Sequence, residues 1–165
     1  KTYFSYMSTR LQLTAFFAVL MICLQSCGDD PTQTTPKTAE ELAVEDLAGT
    51  GTKSWTLTAG SVKKNGTDVT STYTGFELTF NVGTTKTYTS KNSNDLFDSN
   101  GTWEFAGANF DKIILSGTKP AATREISFTE TSGKLTLLFT IPQPGARIFG
   151  TQAVAGNYEF VLNKK

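Results

Sequence analysis

From Lys53 onward, apolar side chains recur at every second position, and this period of two limits the fold more than any other feature. In Phe76-Glu77-Leu78-Thr79-Phe80-Asn81-Val82 the alternation is unbroken. Such a segment is a strand with one face on a core and the other in water. The same pattern marks Trp55/Leu57/Ala59, Trp103/Phe105, Ile126/Phe128, Leu135/Leu137/Phe139/Ile141 and Tyr158/Phe160/Leu162. Weaker versions lie around Tyr88 and at Ile113–Leu115. Turn signals fall between them at Asn65-Gly66, Val82-Gly83, Asn100-Gly101, Ser116-Gly117, Ser132-Gly133 and Gly156-Asn157. The spacing predicts about eight strands on short connections, with no helical stretch long enough for a parallel crossover. An antiparallel up-and-down meander of that size loses its exposed edges by closing into a barrel. A two-sheet β-sandwich shares the pattern and is the alternative.

Ahead of the strands, Leu13–Leu24 (LTAFFAVLMICL) is a 12-residue run, nearly all apolar and preceded by Arg10. A membrane-spanning helix needs about 20 such residues. A positive flank before a short apolar run is instead the form of an export signal, with Met7 read as its start. Leu24-Gln25-Ser26-Cys27 follows, and it resembles the lipobox of bacterial lipoproteins. That resemblance implies a diacylglyceryl group on the Cys27 thiol, cleavage after the small Ser26, and a further acyl chain such as palmitate on the new amino terminus. Two or more chains anchor a protein stably where one holds it only marginally. The membrane is therefore an expected partner, met through the lipid anchor, and the expected location is the outer membrane. Asp29-Asp30 resembles the acidic run that marks surface export in lipoproteins of the Bacteroidetes. The same pair also reads as a solvated start to a linker, so the face of the membrane stays open.

Gly28–Lys37 (GDDPTQTTPK) is polar, holds two prolines and has no large apolar residue. It cannot bury itself and is expected to be an extended tether. Thr38-Ala39-Glu40-Glu41 has the form of a capping box, which predicts one or two helical turns over Ala39–Leu47, stopped at Gly49-Thr50-Gly51. The expected division is a signal peptide over 1–26, a lipidated cysteine and tether over 27–44, and a β domain over 45–165.

At this point the chain resembles the lipocalin-like lipoprotein domains of the Bacteroidetes. Leu47-Ala48-Gly49 leading to Lys53-Ser54-Trp55 carries the likeness, with Gly75–Phe80, Gly101–Phe105, Leu135–Phe139 and Gly156–Leu162. The resemblance covers roughly residues 45–165. It implies a small all-β, eight-stranded lipocalin-like barrel and an envelope address more than an activity.

Composition narrows the chemistry. The chain has no histidine, and both cysteines, Cys23 and Cys27, precede the domain. Zinc, copper and iron–sulfur sites need those ligands, as do Ser-His and Cys-His nucleophile pairs. Residues 49–165 hold twelve basic and nine acidic residues, spread out rather than gathered into the stripe that nucleic acid requires. No cofactor and no nucleic-acid partner are expected, and the domain is expected to be a monomer. Glu77, Glu104, Glu125 and Glu159 are out of phase with their apolar neighbours and so point to solvent, away from the facing pair that glycoside cleavage needs. Asn92–Asn100 (NSNDLFDSN) collects oxygen ligands, but Leu96 breaks the calcium-loop spacing, and Asn, Ser and Asp favour turns on their own account. No catalytic residue and no metal site are assigned.

Three residues remain as candidates for ligand binding. Glu130 is in phase with Ile126 and Phe128, which places it at a barrel mouth or just past a strand end. Arg147 and Phe149 belong to Pro142–Ala155, the longest connection, and would set a cation beside apolar surface as a lip. The other reading of Ala146–Phe149 is a short edge strand. An eight-stranded barrel is wide enough either to be filled by side chains or to hold one small ligand. So many large aromatics favour filling. The expected function is non-enzymatic: a lipid-anchored envelope module that binds a small apolar or amphipathic ligand or a surface partner. The alternative is a structural accessory subunit of a surface uptake complex with no ligand of its own.

Overall fold

A computed structural model describes residues 35–143 and 154–165; Cys27, Arg147 and Phe149 lie outside the described residues. Among the described residues one α-helix, α1 (Ala39–Ala48), precedes nine strands: β1 (Thr52–Lys64), β2 (Thr67–Asp68), β3 (Glu77–Asn81), β4 (Thr87–Lys91), β5 (Asn100–Phe105), β6 (Lys112–Leu115), β7 (Glu125–Thr131), β8 (Lys134–Ile141) and β9 (Gly156–Lys164). Each strand from β3 to β9 pairs antiparallel with the next, β1 pairs with β3, and β9 returns to pair with β1. The result is a closed, eight-stranded antiparallel barrel, with two-residue β2 added at the end of β1. A single sheet closed on itself sets aside the sandwich alternative.

Closure depends on β1 serving two partners. Its first half pairs with β3 from Thr52↔Asn81 to Thr56↔Glu77. Its second half pairs with β9 from Ser61↔Val161 to Lys64↔Tyr158. Between Thr56 and Ser61 the register with β9 slips, so four residues of β1 stand opposite Leu162 alone. This bulge bends the strand and raises its twist. Ala59 takes φ 56° there. A Cβ on Gly60 would lie 2.1 Å from the carbonyl oxygen of Val161, so only glycine lets the two backbones approach. The bulge also corrects the sequence reading at one point. Ala59, in phase with Trp55 and Leu57 on paper, is exposed, because the bulge breaks the alternation before it.

Asn65-Gly66 and Ser132-Gly133 form two-residue hairpin turns between Lys64↔Thr67 and Thr131↔Lys134. All four residues have positive φ, as hairpin turns of the primed type require. Two other turn signals lie inside strands. Gly156-Asn157 opens β9 opposite Ile141 and Thr140, and Asn100-Gly101 opens β5. Gly101 stands opposite Tyr88, whose ring would come within 2.6 Å of a Cβ there. The glycine makes room for the tyrosine rather than for a turn.

The helix forms where the capping box predicts it. The Thr38 side chain takes the amide of Glu41, the Glu41 carboxylate takes the amide of Thr38, and Gly49 ends the helix at φ 64°. Residues 39–44, read from the sequence as the end of the tether, form its first turns, and Ala43 is already buried. Leu47 and Ala48 are fully buried. The Trp55 indole donates to the Leu47 carbonyl at 2.9 Å, and the Lys53 ammonium to the Asp46 carbonyl at 2.8 Å. Helix α1 thus packs against β1 and β3 at the end of the barrel where β1 begins.

Inside the wall, Trp55, Leu78, Phe80, Ile113, Ile126, Leu135, Leu137, Phe160 and Leu162 are wholly shielded. Trp103, 3% exposed, meets Phe80 and Phe105 edge-on at 5.7 and 5.4 Å between centroids and donates to the Asn81 carbonyl. Truncating such a buried aromatic costs about 3–5 kcal/mol, against a total stability of roughly 5–15 kcal/mol. Glu104, one position along, points to solvent. Trp103→Ala is expected to unfold the domain or lower its melting temperature strongly, and Glu104→Ala to be nearly silent, both read by thermal melts. Equal losses would mean that β5 is misphased.

Candidate functional site

A lipocalin-like barrel suggests a ligand chamber, and here that chamber is occupied by the protein itself. Tyr73, on the 3-10 turn Thr70–Tyr73, and Phe76 just before β3 fold inward from the connection between β2 and β3. Leu96 and Phe97 enter from the β4–β5 connection and are 0% and 2% exposed. Phe97 packs against Phe76, Phe139 and Phe160 at 5.5–5.7 Å between ring centroids. The polar run around these two residues gave no sign that they would be a plug. Asn92, Asn94 and Asp95 supply the positive φ angles that turn the chain inward.

Asp98 secures the plug. Its carboxylate accepts the backbone amides of Thr118 and Lys119, both at 2.9 Å, and the Thr118 hydroxyl at 3.2 Å. The Leu96 carbonyl accepts the amide of Ala121 at 3.0 Å, and the Ser90 hydroxyl donates to the Asp98 carbonyl at 2.8 Å. The β4–β5 and β6–β7 connections are thereby clasped over the end of the barrel opposite α1. Partial burial works against the charge on Asp98. The amides of Lys119 and Thr118, the Thr118 hydroxyl and the Lys119 charge outweigh it and hold the carboxyl below its ordinary value.

Glu130 has a comparable structural task. It is half-buried, and Oε1 accepts the amide of Gly133 at 2.8 Å, which braces the β7–β8 turn. The other ligand candidates, Arg147 and Phe149, lie outside the described residues. On the outer wall Glu77, Glu125 and Glu159 pair with Lys165, Lys112 and Lys63. Among the described residues no three acidic, histidine or cysteine side chains gather as a metal site.

The open space is in the wall. The β7–β8 ladder ends at Ser127↔Leu138. Beyond it β7 stays with β6 as far as Glu125, and β8 stays with β9 as far as Ile141. The two strands part, and a cleft of about 490 Å3 opens between them. Lys112, Arg124, Glu125 and Ser127 line one side, Leu138, Thr140 and Asn157 the other, with Phe139 and Tyr158 at the floor. Leu138 is 48% exposed, one of two large apolar side chains so open among the described residues. A second groove of about 640 Å3 lies between the β3–β4 connection and strands β5 and β6, with Thr84, Thr85, Thr102, Ser116 and Thr123 in its lining. The sequence could not mark either, because each depends on where neighbouring ladders stop.

A carboxyl whose folded value lies below its unfolded one adds stability that is full above the unfolded value, about 3.9 for aspartate. That stability fades as pH falls through the lower folded value. Asp98→Ala is expected to lower stability at pH 7 by about 1.5–3 kcal/mol, the range for hydrogen bonds to a charged group. It should also flatten the loss of stability on acidification below about pH 4. Denaturant titrations at pH 3 and pH 7 check both, and an unchanged acid limb would remove Asp98 from the clasp.

No protein-family model, curated protein or solved structure matches this chain.

Proposed function

We propose that this chain is a non-enzymatic, lipid-anchored protein of the outer membrane whose lipocalin-like barrel binds a small amphipathic ligand or an envelope partner on its outer wall. The observation that carries the reading is the filled interior. Tyr73, Phe76, Leu96, Phe97, Phe139 and Phe160 occupy the volume that a chamber-bound ligand would need. The 490 Å3 cleft and the 640 Å3 groove both fall within the roughly 300–1,000 Å3 usual for small-molecule sites, and the cleft is the one with an exposed leucine in its lining. The address rests on the lipobox-like Leu24–Cys27 and on the polar stretch that follows. The same solid core also favours a second reading, an accessory subunit of a surface uptake complex with no ligand of its own.

Two measurements test these readings. Mass spectrometry of the native protein should find Cys27 carrying a diacylglyceryl group, and Cys27→Ala should move the protein out of the detergent phase. An unmodified Cys27 would end the anchor. An apolar fluorescent probe such as N-phenyl-1-naphthylamine should bind one saturable site that Leu138→Asp removes without shifting the melting temperature. Absence of saturable binding would favour the accessory reading, and binding that survives Leu138→Asp would place the site elsewhere.

A further inference from the structure

The β7–β8 cleft is two-faced in a way that specifies its ligand. Its floor is aromatic: Phe139 and Tyr158 stack at 5.3 Å between centroids with their planes 10° apart. Leu138 extends that apolar surface outward. The rim on the opposite strand is charged, but two of its three charges are already committed, because Lys112 donates to the Glu125 carboxylate at 2.8 Å. Arg124 has no ion pair and no hydrogen bond among the described residues. It stands at the start of β7, on the same rim as Glu125.

The wall around the floor supplies few competing polar groups. Thr140 donates its hydroxyl to the Asn157 side-chain oxygen at 2.8 Å, and the Tyr158 hydroxyl donates to the Val154 carbonyl at 2.8 Å. Neither residue needs a ligand to satisfy those hydroxyl protons. Among the described residues the cleft presents an apolar surface, the Ser127 hydroxyl and a guanidinium that has no ion pair. A guanidinium presents paired donors that match the two oxygens of a carboxylate, and it is more weakly hydrated than an ammonium. Apolar contact with Leu138 and the ring edges would hold an alkyl chain.

We infer that the cleft binds an amphipathic carboxylate, its acid group on Arg124 and its alkyl chain laid across Leu138 and the Phe139–Tyr158 floor. The inference rests on the reading that the outer wall is the binding surface, and adds the chemical class of what is bound. The ladder is unpaired over positions equivalent to three residues of β8, Phe139 to Ile141. At about 3.3 Å per residue this gives a trough roughly 10 Å long, about the length of an eight-carbon chain, so a medium-chain acid fits better than a long one.

Decanoate, decanol and decylamine, each kept below its micelle concentration, test this by NMR titration of the full chain. The expected result is that decanoate shifts the amides of Arg124, Leu138 and Phe139 saturably and binds more tightly than decanol, with decylamine weakest. Arg124→Gln should weaken decanoate by about tenfold, the scale of one charge-assisted contact, and leave decanol unchanged. Leu138→Asp should weaken decanoate and decanol alike, and Glu104→Ala, on β5 outside the cleft, should change nothing. Decanol bound as tightly as decanoate at the cleft, or decanoate indifferent to Arg124→Gln, overturns the carboxylate assignment and leaves the outer-wall reading standing. No shift at the cleft with any of the three probes overturns both.

Discussion

The bulge in β1 is the constraint on which the rest of the structure depends. In a closed barrel every strand has a neighbour on each side, and β1 meets β3 and β9 together at Trp55 and Thr56 before it bends. The bend is a bulge within the β1–β9 ladder between Thr56 and Ser61, with Gly60 pressed against the Val161 carbonyl. Without the β1–β9 ladder, both strands would be open edges with backbone groups available to other chains. Closure instead commits both edges, and it also fixes the inner volume. Once eight strands are joined around so small a circle, the large side chains that alternate along them meet in the middle. The filled core follows from the closure.

The period of two, the capping box and the two hairpin turns made much of this architecture legible in the sequence. Those signals are local: a strand's alternation, or an Asn-Gly between two strands, needs no knowledge of the remainder of the chain. The failures are equally instructive. Ala59 sits in phase in the sequence and out of phase in space, because a bulge is set by the partner strand. Asn100-Gly101 looks like a turn because its residues favour turns, yet the glycine is required by the ring of Tyr88 across the ladder. Leu96 and Phe97 are hidden in a polar run, and nothing in that run announces that the loop folds into the barrel. The cleft between β7 and β8 is the least legible of all, since it exists only where two ladders diverge.

The filled centre of this fold leaves the proposed binding to its periphery. Helix α1 packs over one end, the Asp98 clasp holds the plug at the other, and aromatic rings fill the volume between them. An outer wall is then the surface left for recognition. The wall carries many hydroxyls, and Glu77, Glu125 and Glu159 on it are paired with lysines. On that wall, an exposed leucine lies beside an arginine that has no ion pair among the described residues.

The pairing of β1 with β9 also dictates an order of events in time. Thr56 and Asn163, which meet across that ladder, are separated by nearly the whole length of the domain. Loop closure of roughly a hundred residues costs entropy before any contact compensates it, and chains dominated by such distant pairings fold in milliseconds to seconds rather than microseconds. The β7–β8 hairpin, nucleated by two residues, and the long β8–β9 ladder are by comparison near neighbours. A chain that emerges from its amino terminus therefore carries β1 without its second partner until the last strand is free. The barrel cannot close before β9 has been made, and until then the inner face of β1 lacks the strand that seals it.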